Sequence, residues 1–219
     1  HLKIKAGEKI AILGRNGAGK STLLQLLAGM QSPSNGSVHL DGLDISLIDP
    51  ADVRRDMALL NQNAHLFYGT IRENLTLGAP LAKDDDILKA LKVTGALGFV
   101  QEKKEGLDHL VLEGGVGFSG GQKQALLLAR LLIRQPNILL LDEPTAAIDD
   151  IAEKQLIDHL KGWLGHRTLV VATHRRAVLE LVDRIIVMNE GKVVMDGPRD
   201  QVLNQSAGQQ KQIKQGEDS

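Results

Sequence analysis

The stretch Gly14 to Thr22, GRNGAGKST, constrains this chain more than any other. It fits the phosphate-binding pattern G-x-x-x-x-G-K-[ST] at Gly14, Gly19, Lys20 and Ser21, with Arg15, Asn16, Gly17 and Ala18 filling the loop. Its flanks carry as much weight as the match. Lys9 to Leu13 (KIAIL) predicts a short buried strand, and Leu23, Leu24, Leu26 and Leu27 predict a helix that closes near Gly29. In a strand, glycine loop and helix, backbone N–H groups can wrap a phosphate while the helix end adds a favourable dipole. Lys20 can then reach the β- and γ-phosphates, and the Ser21 hydroxyl can ligate Mg²⁺. A glycine turn that merely precedes a helix is the bland alternative; the flanking strand and helix argue against it.

The pattern continues along the chain. Leu2 to Lys5 alternates apolar and charged residues and predicts a half-buried strand; with no initiator Met before it, the chain is expected to be an excised fragment. A hairpin is expected over Val38–Leu40 and Leu43–Ile45 across Asp41-Gly42, then a helical turn at Pro50–Arg55 and a strand at Met57–Leu60. After Gln62 the character changes. Thr70 to Glu73 predicts a capping box, Asp84 to Asp86 a second helix start, and Leu97, Phe99 and Val100 a weaker third helix. Further on, Gln122–Arg134 predicts a strongly apolar helix and Ile138–Leu141 a buried strand. Ile151, Leu156, Leu160 and Leu164 predict a helix, Thr168–Ala172 a strand, and Ala177–Val182 a helix. A hairpin across Glu190-Gly191 and a short helix from Pro198 to Leu203 follow. The expected division is an α/β core over 1–62 and 125–204, a helical lobe over 63–124 and a polar, Gln-rich, disordered tail over 205–219. Strands alternating with helices imply a mainly parallel sheet, whose strand-end loops gather at one edge.

Composition removes several function classes. A net charge of −1 gives no electrostatic case for nucleic acid or an anionic membrane surface. The absence of cysteine excludes disulfides and thiolate metal sites. No apolar run approaches the roughly 20 residues that span a bilayer. The aromatics are only Phe67, Tyr68, Phe99, Phe118 and Trp163, too few for a base-stacking platform.

Two further stretches carry chemistry. Ile138 to Glu143 (ILLLDE) is a buried strand that ends in two carboxylates, a rigid base for a metal ligand at Asp142 and a water-orienting group at Glu143. A strand before a polar turn is the bland reading, and the phosphate loop upstream argues against it. Phe118 to Gln122 (FSGGQ) places Ser119 before two glycines at the start of a long helix, a second helix-terminal anion site. One chain rarely needs two such sites for one triphosphate, so this one is expected to serve the nucleotide of another chain.

Together GRNGAGKST, Gln62, FSGGQ, LLLDEP, Ala147-Ile148-Asp149 and His174 resemble the ATP-binding cassette of ABC transporters, over nearly the whole chain to about Asn204. The resemblance implies a P-loop NTPase (RecA-like) core with a mainly parallel sheet, a small antiparallel β part and an inserted helical subdomain. It also implies roles. Gly14, Arg15, Asn16, Gly17, Ala18, Gly19, Lys20, Ser21 and Thr22 would form the Walker A loop for ATP. Asp142 would be the Walker B carboxylate, Glu143 the catalytic base, and Gln62 the loop glutamine at Mg²⁺ and water. Ser119, Gly120, Gly121 and Gln122 would be the signature that binds ATP in trans, Asp149 the acidic residue of the interface-crossing loop, and His174 the switch histidine at the γ-phosphate. Three departures stand out: Phe118 for the usual Leu, Lys123 for the frequent Arg, and Asn61 for the frequent Pro before the glutamine. The family's adenine-stacking aromatic would lie upstream of His1, so the fragment is expected to bind MgATP weakly and select bases poorly.

The wording LFYGTIREN, Leu66 to Asn74, is similar to exporter cassettes and most of all to bacterial type I secretion ATPases. That resemblance implies a second copy as head-to-tail partner and a transmembrane domain of the same polypeptide. A periplasmic adaptor and an outer-membrane channel are possible further partners, with no nucleic acid. The implied location is the cytoplasmic side of the bacterial inner membrane. A lipid, peptide or drug exporter cassette shares most of this pattern. A soluble non-transport cassette would show two cassettes or a long coiled coil, and a non-hydrolysing module would not need Glu143 and His174.

Overall fold

The computed structural model describes residues 1–205. It is built on a six-stranded sheet whose order explains where the motifs meet. In chain order the first elements are β1 (Lys9–Leu13), α1 (Lys20–Leu27), β2 (His39–Leu40), β3 (Leu43–Asp44), α2 (Pro50–Asp56) and β4 (Met57–Leu60). The segment expected as a helical lobe follows with β5 (Gly69–Thr70), α3 (Ile71–Thr76), α4 (Asp84–Val93), α5 (Leu97–Gln101) and β6 (Leu110–Val111), and α6 (Gly120–Leu132) straddles its expected boundary. The chain then returns through β7 (Ile138–Asp142), α7 (Asp150–Leu164), β8 (Thr168–Ala172), β9 (Arg184–Asn189) and β10 (Lys192–Pro198), and residues 199–205 are helical.

The sheet runs β10-β9-β1-β8-β7-β4. All neighbours are parallel except the β9–β10 hairpin. Alternate residues of the same strands feed two cores. Ala11, Leu139, Leu141, Leu169 and Val171 face the cluster that includes α6, α7 and the lobe. Ile10, Ile12, Leu140, Val170 and Ala172 face the cluster under α1 and α2. Both faces are covered, so these strands read as unbroken aliphatic runs rather than alternating ones. Helix α6 is buried through Ala125, Leu126, Leu127, Leu128 and Ala129 because the sheet lies on one side and the lobe on the other. In the lobe, the capping box at Thr70 and Glu73 forms as expected and holds the Glu73 carboxyl below the usual range.

Several local expectations change. Leu2 and Ile4 are half-buried and Lys3 and Lys5 exposed, as alternation predicts, but no strand forms; Lys3 O instead accepts from Arg184 Nη1 at 3.0 Å. The lobe holds a two-residue ribbon, β5 with β6, paired across some forty positions of chain. Pro198 is the last residue of β10, and the short helix expected from it begins at the next residue, over 199–205. Residues Ala177–Leu181 form a 3₁₀ helix. Ile151 is exposed while Leu156, Leu160 and Leu164 are buried. Its five-residue step to Leu156 turns it about 140° off their stripe. The tail expected over 205–219 lies, from residue 206, outside the described residues.

Candidate active site

Because β1, β4, β7 and β8 are parallel, their carboxyl ends share one edge, and the loops leaving them line a cleft of about 620 Å³. Asn16 to Thr22 form one wall. Gln62, Asp142, Glu143 and His174 come from the other strand ends, and Gly120, Lys123 and Gln124 from α6. Among the described residues, no Phe, Tyr or Trp lines the cleft.

The glycine loop is shaped by its neighbours as well as by its chemistry. A Cβ on Gly14 would lie 2.5 Å from Met188 O of β9, so the loop can pass there only without a side chain. Gly19 precedes α1 with φ 94, a left-handed conformation, and no side chain caps the helix. Among the described residues, the N–H groups of Gly17, Gly19, Lys20, Ser21 and Thr22 have no protein acceptor. The Lys20 ammonium is nearly buried and folds back, donating to Gly14 O at 2.9 Å and Arg15 O at 3.4 Å. Five free amides, a helix end and one held cation make a cradle that fits a polyphosphate.

β7 brings Asp142 to the same cleft, 5% exposed and with no protein hydrogen bond to its carboxylate among the described residues. Glu143 follows at φ 49, a left-handed geometry unusual for a residue with a side chain. Its N–H donates to Ala172 O of β8 at 2.9 Å. His174 Nδ1–H donates to Glu143 Oε1 at 2.9 Å, while Glu143 Oε2 is buried without a partner. The imidazole is largely exposed and the carboxylate nearly buried, so the pair leads from solvent into the cleft. With Nδ1 committed, the outer Nε2 accepts in the neutral ring and donates in the imidazolium. No group of three or more acidic or histidine side chains among the described residues could hold a metal by itself. Nucleotide-bound Mg²⁺ needs only one or two protein oxygens beside phosphate oxygens, a donor set that Ser21 and Asp142 fit.

Not every expected residue reaches the cleft. Gly14 and Arg15 contribute only the carbonyls that hold Lys20. Ser119 and Gln122 cap each other at the start of α6: Gln122 N–H donates to Ser119 Oγ at 3.2 Å, and Ser119 N–H to Gln122 Oε1 at 3.0 Å. Gly121 packs on the loop after Glu143, where an added Cβ would meet Ala147 O at 3.2 Å. Asp149 caps α7, accepting from Ile151 N–H at 3.1 Å and Ala152 N–H at 3.0 Å.

Three residues escaped the sequence reading. Gln124 bridges α6 to the Glu143 loop. Arg130 and Asn74 hold the segment after Gln62. Arg130 Nε donates to Asn74 O at 2.7 Å, its Nη2 to Asn74 Oδ1 at 2.8 Å and its Nη1 to His65 O at 3.1 Å. Asn74 Nδ2 donates to Phe67 O at 2.9 Å and Thr70 O at 3.0 Å. Burial lowers the Arg130 guanidinium, which faces only neutral acceptors in these bonds. The available signal was a polar residue inside an apolar helix, as in LLLARLL.

A family model described as ABC transporter matches residues 1–146. The leukotoxin translocation ATP-binding protein LktB of Mannheimia glucosida is 39% identical over 208 residues, covering 95% of this chain and 29% of that protein. LktB of Bibersteinia trehalosi is also 39% identical over 208 residues, with the same coverage. The structure of a bacterial Atm1-family ABC exporter with ATP bound superposes with a TM-score of 0.88 at 32% identity, over 94% of this chain and 36% of that one. The chain thus spans less than a third of the length of these curated relatives.

Proposed function

The chain belongs to the ABC transporter family, and from that premise we propose that it is the ATP-binding and ATP-hydrolysing cassette of an exporter, of the type I protein secretion kind. The observation that carries the enzymatic part is the Glu143–His174 pair, with Glu143 Oε2 free and buried in the cleft that also holds Lys20 and Asp142. The support for the cargo class, an adhesin or toxin, is the likeness to leukotoxin translocation proteins.

In this reading the amides of Gly17, Gly19, Lys20, Ser21 and Thr22 and the Lys20 ammonium bind the phosphates of ATP. Ser21, Asp142 and Gln62 would hold Mg²⁺, which would offset phosphate charge. Glu143 Oε2 accepts a proton from the attacking water, and His174 holds the carboxylate in place from outside. The uncommitted amides and the Lys20 ammonium support phosphate binding, and among the described residues no Phe, Tyr or Trp lines the cleft to support stacking on a base. Ser119 to Gln122 serve the nucleotide of a second copy, and Asp149 lies on the loop between the two chains. A transmembrane domain, a periplasmic adaptor and an outer-membrane channel complete the assembly, with the cassette on the cytoplasmic side of the inner membrane.

Glu143→Gln tests this reading. It keeps the shape, removes the charge, and should leave ATP binding intact while lowering hydrolysis on the order of 10²–10⁴-fold. Steady-state phosphate release at the wild-type rate would overturn it.

A further inference from the structure

The placement of the Glu143 carboxylate depends on a backbone held in an unfavourable conformation, φ 49. One restraint comes from the sheet, the bond from Glu143 N–H to Ala172 O. The other comes from helix α6: Gln124 Nε2 donates to Glu143 O at 2.7 Å. The same amide accepts, through Oε1, the N–H of Ala147 at 3.0 Å. One orientation of the amide satisfies both bonds, because a primary amide carries a donor for a carbonyl and an acceptor for an N–H side by side. Gln124 therefore ties both ends of the 143–147 loop to the helix that starts at Ser119 and packs against α3 and α4 of the lobe.

The far end of the same loop is anchored differently. Arg175, next to His174, donates from Nη2 to Ile148 O at 2.9 Å and pairs with the buried Glu153 at 2.9 Å. The segment from Glu143 to Asp149 is thus slung between the lobe's helix and the His174 segment.

We infer that Gln124 is a positioning residue for hydrolysis, fixing the Glu143 backbone to α6 so that the orientation of the helical lobe is felt at the catalytic carboxylate. This rests on the role of Glu143 proposed above. Gln124 lines the cleft yet acts through Glu143 and Ala147, so its loss should alter turnover rather than ATP binding.

The test measures kcat, KM and MgATP affinity by calorimetry, on the full chain, for Gln124→Met, Gln124→Glu and Glu143→Gln. Gln124→Met keeps the length of the side chain and removes both bonds. It should lower kcat on the order of tenfold to a hundredfold, the range expected for a slightly misplaced catalytic group, with ATP affinity within about threefold of wild type. Gln124→Glu keeps an acceptor for Ala147 N–H but offers a carboxylate to Glu143 O, and should lose turnover to a similar degree. Wild-type kcat in Gln124→Met overturns the inference, as does a loss of affinity that matches the loss of kcat. If Gln124→Met does not fold, wild-type kcat in the isosteric Gln124→Glu overturns it instead. Glu143→Gln separates the layers. Should it hydrolyse ATP normally, the reading of the site fails; should it be inert while Gln124→Met turns over normally, only the role of Gln124 fails.

Discussion

Helices α1 and α6 both begin at glycine-rich turns, and their ends are finished in opposite ways. At α1, among the described residues, no side chain caps the helix, Gly19 is left-handed, and the first amides have no protein acceptor. At α6 a capping box closes the end, with Ser119 and Gln122 satisfying each other at the exposed surface. An uncapped helix end forgoes about 0.5–2 kcal/mol of stability, and orphan amides inside a cleft add to that cost. Such an end is poised for an anion. A capped, exposed end is already satisfied within its own chain, and gains a ligand only if another molecule presents one. On the function proposed above, the first helix would make a phosphate site within one chain, and the second would make half of a site between two.

The largest effect that could break this contrast is at Lys20. Removing the held ammonium in Lys20→Ala deletes a charge-assisted contact of about 1.5–3 kcal/mol, so ATP affinity should fall roughly tenfold to a hundredfold by calorimetry, with hydrolysis lost. Unchanged affinity would mean that the phosphates do not sit on α1. A smaller effect should come from Ser119→Ala. Loss of the cap should lower stability by about 0.5–2 kcal/mol in denaturant titration, while ATP binding to the single chain stays at the wild-type value. A loss of single-chain binding as large as that of Lys20→Ala would erase the distinction between the two ends.

The smallest effect belongs to a charge pair away from both helices. Arg184 donates to both Asp196 oxygens at 2.7 Å and holds that carboxyl below its ordinary range. A depressed folded-state pKa contributes stability above the unfolded value, 3.8 for Asp, and that stability is lost as pH falls through the folded value. Asp196→Asn should therefore cost roughly 0.2–1 kcal/mol at neutral pH, as partly exposed pairs do, and progressively less in strong acid. A difference that does not shrink with acidification would place the effect in packing rather than charge.

The contrast between the two ends was partly legible in the sequence. Strand, glycine loop and helix at 9–27 and the aliphatic run into Asp142 specified their own conformation, because short-range patterning and parallel-sheet burial agree there. Ser119 as a helix start was equally readable, from Ser-Gly-Gly before an apolar helix. What stayed hidden depends on partners distant in sequence. The β5–β6 ribbon has two residues on each side and leaves no periodic trace. Leu2 to Lys5 alternates like a strand, but alternation reports burial, not a hydrogen-bonding neighbour. Gln124 and Arg130 look like polar interruptions of an apolar helix, and only the fold shows that each meets backbone groups 19 and 56 positions away. Ile151 was counted into a stripe that its own angular position leaves.

If α6 completes a site on another chain, two variants with lesions in opposite halves should rescue each other when mixed. Lys20→Ala damages the α1 half and Ser119→Arg the α6 half. Each alone should be nearly inert, because every site in its dimer carries a lesion. In a mixed dimer both lesions fall in one site and the other contains neither. With pairing verified by affinity tags, an equal mixture should recover on the order of a quarter of wild-type phosphate release, from the half of the dimers that hold one intact site. Phosphate release no higher than that of the separate variants, in chains shown to pair, would contradict the shared site.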